Sequence, residues 1–185
     1  MNPLAARAEP ERMLRLYLTD HFAGATGGSE LARRLARTHR NGPYGRELDT
    51  FAHDVARDRE TLRTLMASLD ITPQRAKVAA AWTAERVGRL KPNGRIVRRS
   101  PLSNVLELEA MRMGVEGKAS CWRALRMLAD NDDRLPADEL DSLIDRAEDQ
   151  SSFLERLRVR MAAGAFGPEP AAGDVRRTAH RPSPA

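Results

Sequence analysis

The chain has 185 residues and a mass of 20.6 kDa, close to one ordinary domain. Its 41% apolar content suffices for one core, which excludes a disordered chain and argues against two domains. Aromatic residues make up only 4%, against 28 Ala and 21 Leu, the residues that fill helices rather than sheets, so an all-α fold is expected. The net charge is +5 and the pI about 10.1, and of 31 basic residues all but Lys77, Lys91 and Lys118 are Arg. Such a balance fits a polyanion partner, because arginines release counterions from phosphates. Codon bias in a GC-rich genome accounts for it more simply, since net charge speaks to solubility and nonspecific binding rather than to a task, so the placement of the arginines has to decide.

Cys121 is the only cysteine, which excludes an internal disulfide and a cysteine-rich metal site and points to a reducing compartment. Met1 to Pro10 lacks an apolar signal core, and no stretch approaches the roughly 18 apolar residues of a membrane span, so a cytoplasmic protein with no membrane partner is expected.

Residues 1–10 read as a flexible N-terminus and 11–165 as a helical bundle. From Glu11, the residues Leu14, Tyr17, His21, Gly24, Gly28, Leu31 and Leu35 recur in steps of three and four, so a first helix is expected to about Thr38. The turn formers Arg40 to Gly45 stop it. Leu48, Phe51, Val55, Asp58, Leu62, Leu65 and Leu69 then repeat the spacing in a second helix, about Arg46 to Leu69, antiparallel to the first. Thr72-Pro73 opens a short helix to about Leu90, which Lys91-Pro92-Asn93-Gly94 ends.

Ser100-Pro101 repeats the start signal for a helix to about Asp130 with two apolar faces. Leu102, Leu106, Met113 and Ala119 mark one, and Leu108, Met111, Val115, Trp122 and Leu125 the other. Leu140, Ile144, Ala147, Ser151, Leu154 and Met161 mark a last helix, about Ala137 to Ala165. Residues 166–185 hold four Pro and no periodicity and read as a disordered, basic, Pro/Ala-rich tail. Two short hairpins joined by a long connection describe an all-α, ferritin-like four-helix bundle, with the short helix as the crossover between the second and third long helices.

The stretch Leu16-Tyr17-Leu18-Thr19-Asp20-His21-Phe22-Ala23-Gly24-Ala25-Thr26, the acidic run Asp54 to Glu60, and the blocks Ser100 to Ser103 and Gly114 to Lys118 resemble an uncharacterised family of bacterial helical proteins. The resemblance spans about Met13 to Leu157 and implies a ferritin-like architecture and no established activity. Ferritin-like di-iron proteins carry Glu on two helices and Glu-x-x-His on the other two. No histidine here has a carboxylate three residues before it: those positions hold Leu18, Ala36, Thr50 and Arg177. The expected role is therefore a non-enzymatic binding or structural one, without a cofactor.

Two further readings stay open. If Leu14 and Leu69 share one end of the bundle, His21, Asp58, Glu116 and Glu148 or Gln150 lie about 10 to 21 Å from it. A noncanonical iron or manganese site from His21, Asp58, Glu116 and Glu148 would use that layer, and a simple His21–Asp58 hydrogen bond competes with it. The second reading is binding of nucleic acid or another polyanion through Arg89, Lys91, Arg95, Arg98 and Arg99, joined at one end by Arg33, Arg34, Arg37, Arg40 and Arg46, while Asp130 to Asp145 collect at the other. Helix dipoles favour the same polarity without any partner. Gly24, Gly27 and Gly28, opposite Gly114 and Gly117, suggest close approach of two helix backbones, since each costs about 0.8 to 1 kcal/mol relative to Ala. A homodimer through exposed helix faces is a further partner reading.

Overall fold

In a computed structural model of the chain, residues 3–72 and 100–167 are described. They form four helices: α1 Pro3–His39, α2 Gly45–Ser68, α3 Pro101–Ala129 and α4 Ala137–Phe166. The described residues contain no strand, as the composition anticipates. None of these helices is long and apolar enough to cross a membrane. The short helix expected near 73–90 and the tail beyond 167 lie outside the described residues. At the N-terminus, α1 starts at Pro3, ahead of the expected Glu11, and carries Pro10 inside it.

Local signals set most helix ends. Ser100 caps α3, its hydroxyl accepting from the Ser103 N–H at 3.4 Å, with Pro101 in the first turn. The first residue of α2 is glycine, Gly45, and a Cβ there would stand 2.3 Å from the Arg40 carbonyl oxygen. At the C-terminus of α2, Ile71 N–H bonds to Met66 C=O at 2.8 Å and Asp70 N–H to Ala67 C=O at 3.1 Å, closing a Schellman turn. This turn puts Asp70 at φ 59°, a position that glycine usually fills.

Contacts between helices fix their directions. Tyr44 meets Arg160, Phe51 meets Phe153 and Asp58 meets Arg146, so α2 and α4 are antiparallel. Arg34 meets Glu107 and Gly28 lies against Met111, so α1 and α3 are antiparallel too. Arg59 reaches Thr26 between α1 and α2, while Arg112–Glu155 and Arg126–Asp141 join α3 and α4. The order is up, down, down, up, with α2 and α3 parallel, and the chain from Thr72 to Ser100 joins opposite ends.

One core runs through the bundle, with Leu18, Leu35, Leu48, Met66, Leu108, Trp122, Leu125, Leu140 and Leu154 fully buried. The expected α2 stripe is buried at all seven positions. On α1 Leu35 of the expected stripe is buried and Leu14, Tyr17 and Leu31 pack against the core, while the other buried positions, Leu18, Ser29, Ala32 and Ala36, lie to one side of that stripe and leave His21, Gly24 and Gly28 only partly buried. Of the two apolar faces on α3, the one from Leu108 to Leu125 is core. Leu102, Leu106 and Met113 of the other face are exposed, and only Ala119 is buried.

Gly24, Gly28, Gly114 and Gly117 do not mark a close backbone approach. A Cβ at Gly24 or Gly117 would meet nothing within 4 Å, and one at Gly28 or Gly114 would touch only the Met111 methyl, at 3.8 and 3.7 Å.

Candidate functional site

Three of the helices bring a polar residue into the apolar stripe at one height, and these meet. On α2, Asp58 falls between Val55 and Leu62 and is 1% exposed. On α3, Lys118 fills the step between Val115 and Trp122, and on α4 Gln150 follows Ala147 and is buried. Lys118 Nζ donates to Asp58 Oδ2 at 2.5 Å and also to Gln150 Oε1, while Arg146 Nη1 donates to Asp58 Oδ1 at 2.7 Å. Both carboxylate oxygens of Asp58 are thus held by cations from two different helices. The Gln150 amide nitrogen, buried alongside, has no acceptor among the described residues.

Burial dominates the electrostatics of Lys118. Desolvation pulls its pKa below the ordinary lysine value, and the adjacent Asp58 carboxylate pulls the other way. The ammonium is tolerable there because Asp58 and Gln150 supply oxygens and because Arg146, a third exposed, keeps one edge of the network in water. At this height α1 contributes no charge to the network. Arg59 of α2 instead donates to Thr26 at 3.1 Å and lies 5.0 Å over the Phe22 ring.

The four side chains of the metal reading are placed differently from one another. His21 packs edge-on against Tyr17, ring centroids 4.4 Å apart, and burial lowers its pKa from the ordinary 6.5. It makes no hydrogen bond to Asp58, whose oxygens face Lys118 and Arg146. Glu116 accepts from Ser151 at 2.5 Å, and Glu148 lies exposed in an ion pair with Arg123 at 2.7 Å. Among the described residues no three His, Cys, Asp or Glu side chains are grouped as a metal ion requires. The expected layer therefore exists, but with Asp58 alone of the four, and with Lys118, Arg146 and Gln150 around it.

Lys118 was legible in the sequence. The α3 stripe Met111, Val115, Trp122, Leu125 leaves one gap in its alternation of four and three, and position 118 fills it. Arg146 carries no comparable signal, since it flanks the α4 stripe and reaches Asp58 only once α2 and α4 are side by side.

Cys121 is buried in the core, and burial pushes its thiol up to about 12, so it is not a nucleophile at neutral pH. Arg89, Lys91, Arg95, Arg98 and Arg99 lie outside the described residues. Arg33, Arg37, Arg40 and Arg46 are described and line one open groove at the α1–α2 hairpin end. Asp130, Asp132, Asp133, Asp138, Glu139, Asp141 and Asp145 stand around the α3–α4 turn at the other end. Several of these acids already pair, Asp130 and Asp141 with Arg126 and Asp132 with Arg134.

No protein-family model matches the chain, and no curated protein and no solved structure is detectably similar to it.

Proposed function

We propose that the chain is a ferritin-like bundle that holds an internal ion-pair clamp in place of metal chemistry, and that it works in the cytoplasm as a non-enzymatic binding or structural protein. The observation that carries this reading is the Lys118 ammonium between Asp58 and Gln150 inside the bundle. Ferritin-like di-iron proteins fill the inward positions of facing helices with carboxylates and Glu-x-x-His pairs that surround cations. Here the inward positions of three helices supply one carboxylate, one lysine and one amide, and Arg146 reaches the carboxylate from the flank of α4. A lysine ammonium satisfies the buried carboxylate as a bound cation would, and its charge repels a metal ion from the same oxygens.

The up, down, down, up order, with the long connection between the second and third long helices, supports the ferritin-like part of the reading. So does the resemblance carried by Leu16 to Thr26 and Gly114 to Lys118. The non-enzymatic part is supported by a buried, protonated Cys121 and by ionisable side chains in the core that are engaged with one another.

Elemental analysis of protein purified from iron-, manganese- and zinc-supplemented medium tests it. Substoichiometric metal, equal in wild type and Asp58→Ala, is expected. One metal per chain that disappears in Asp58→Ala would overturn the clamp.

A further inference from the structure

The described surface arginines mostly have carboxylate partners. Arg57 pairs with Asp54, Arg63 with Glu60, Arg112 with Glu155, Arg123 with Glu148 and Arg134 with Asp132. The groove at the α1–α2 hairpin end departs from this pattern. It is lined by Arg33, Arg37, Arg40 and Arg46 together with Asp49 and His53, over a floor of alanine and glycine. Arg33 is engaged by Glu30, and Asp49 lies 3.8 Å from His53. Arg37, Arg40 and Arg46 have no carboxylate partner among the described residues.

Three uncompensated guanidiniums around one concavity repel one another. Arg37, in the last turn of α1, suits the helix dipole. Arg46 does not: it stands in the first turn of α2, where the dipole disfavours a cation. Dipole compensation therefore explains part of the cluster and leaves Arg46 without an internal reason. The volume of the groove, about 450 Å³, is that of a small-ligand site, and the small side chains of Ala52 and Ala56 keep it open. No Phe, Tyr or Trp lines it, so the stacking surface offered to a nucleobase is limited to His53 and the guanidinium planes, and recognition runs mainly through charge.

We infer that this groove binds a small phosphate-bearing anion, an oligophosphate or phosphomonoester, whose phosphoryl oxygens are held by Arg37, Arg40 and Arg46. Guanidinium suits this task because its planar fork gives two parallel N–H bonds to a phosphate. Asp49 opposes the ligand at one rim, which favours anions held at the arginine side of the groove. The inference rests on the binding reading above but uses none of the residues of the buried clamp.

Titration calorimetry of the full chain with sodium tripolyphosphate is the test. One site per chain is expected at low salt, weakening as salt rises. The variant Arg37→Gln/Arg40→Gln/Arg46→Gln, with unchanged circular dichroism, should bind at least about tenfold more weakly, as loss of charge-assisted hydrogen bonds predicts. The variant Arg63→Gln/Arg123→Gln/Arg134→Gln removes the same charge from side chains that do not line the groove and should lose much less affinity than the groove variant. Asp49→Asn should bind more tightly. Equal weakening in the two triple variants, or no binding by the wild type at low salt, would overturn the site. Tighter binding of a short DNA duplex through the same three arginines would overturn the small-ligand assignment. A metal-loaded protein that still binds tripolyphosphate in the groove would refute the clamp reading alone.

Discussion

Lysine 118 occupies a core position of α3, and its charge is kept there by the single carboxylate of Asp58 and the amide oxygen of Gln150. A buried ion pair of this kind adds little over an apolar pair, but losing one partner leaves an uncompensated charge inside. Asp58→Ala strands Lys118 and Arg146 together, and a loss of about 3 to 5 kcal/mol in urea unfolding is expected. Asp58→Leu combined with Lys118→Met should recover most of that loss, because two apolar groups of similar size replace the pair. If the double variant were as unstable as Asp58→Ala, the clamp would matter for more than charge compensation.

Residue-scale chemistry also sets an acid response. Burial against Tyr17 holds the His21 imidazole below its ordinary 6.5, so in the folded chain it resists protonation. The unfolded chain takes up that proton as pH falls through 6.5. The unfolded state then binds more protons than the folded state, and stability drops as pH is lowered. Between pH 6.5 and about 5, where carboxylates with ordinary pKa values stay ionised, His21→Phe should flatten the slope of unfolding free energy against pH while preserving the ring contact. An unchanged slope would place the proton uptake on another group.

At the scale of the elements, the α2 end and the glycines of α1 and α3 show what local sequence does and does not specify. The start of α3 is written in Ser100 and Pro101, and the structure uses both as a cap and a first-turn residue. The end of α2 is not written in the same way, because its left-handed residue is Asp70 rather than glycine. Gly24 and Gly117 have open space where a Cβ would stand, so their backbone freedom meets no packing demand. Gly24→Ala and Gly117→Ala should therefore each raise stability by about 0.5 to 1 kcal/mol, read as a higher midpoint of thermal or urea unfolding. Gly45→Ala should lower it, because its Cβ would collide with the Arg40 carbonyl. A loss of stability in Gly24→Ala would restore the close-approach reading of these glycines.

At the scale of the whole molecule, four helices in an up, down, down, up order bury one core and separate two ends of different charge character. Arginines without carboxylate partners gather in the groove at the α1–α2 turn, and paired acids gather at the α3–α4 turn. The sequence by itself determined the helical class, the buried stripe of α2 and the cap at Ser100, because each follows from spacing or chemistry within a few residues of one chain segment, whereas it left α3 with two apolar faces, of which the fold buries one. It also marked the height of the polar layer, through Asp58. What only the tertiary structure decided is which side chains share that layer. His21 stays on Tyr17, one turn away on its own helix, and the pairing of α2 with α3 and α4 delivers Lys118, Gln150 and Arg146 to Asp58. Helix rotation and partner choice depend on the packing of all four faces together, and a stripe that is ambiguous by one position, as on α1, is resolved only when its neighbours are in place.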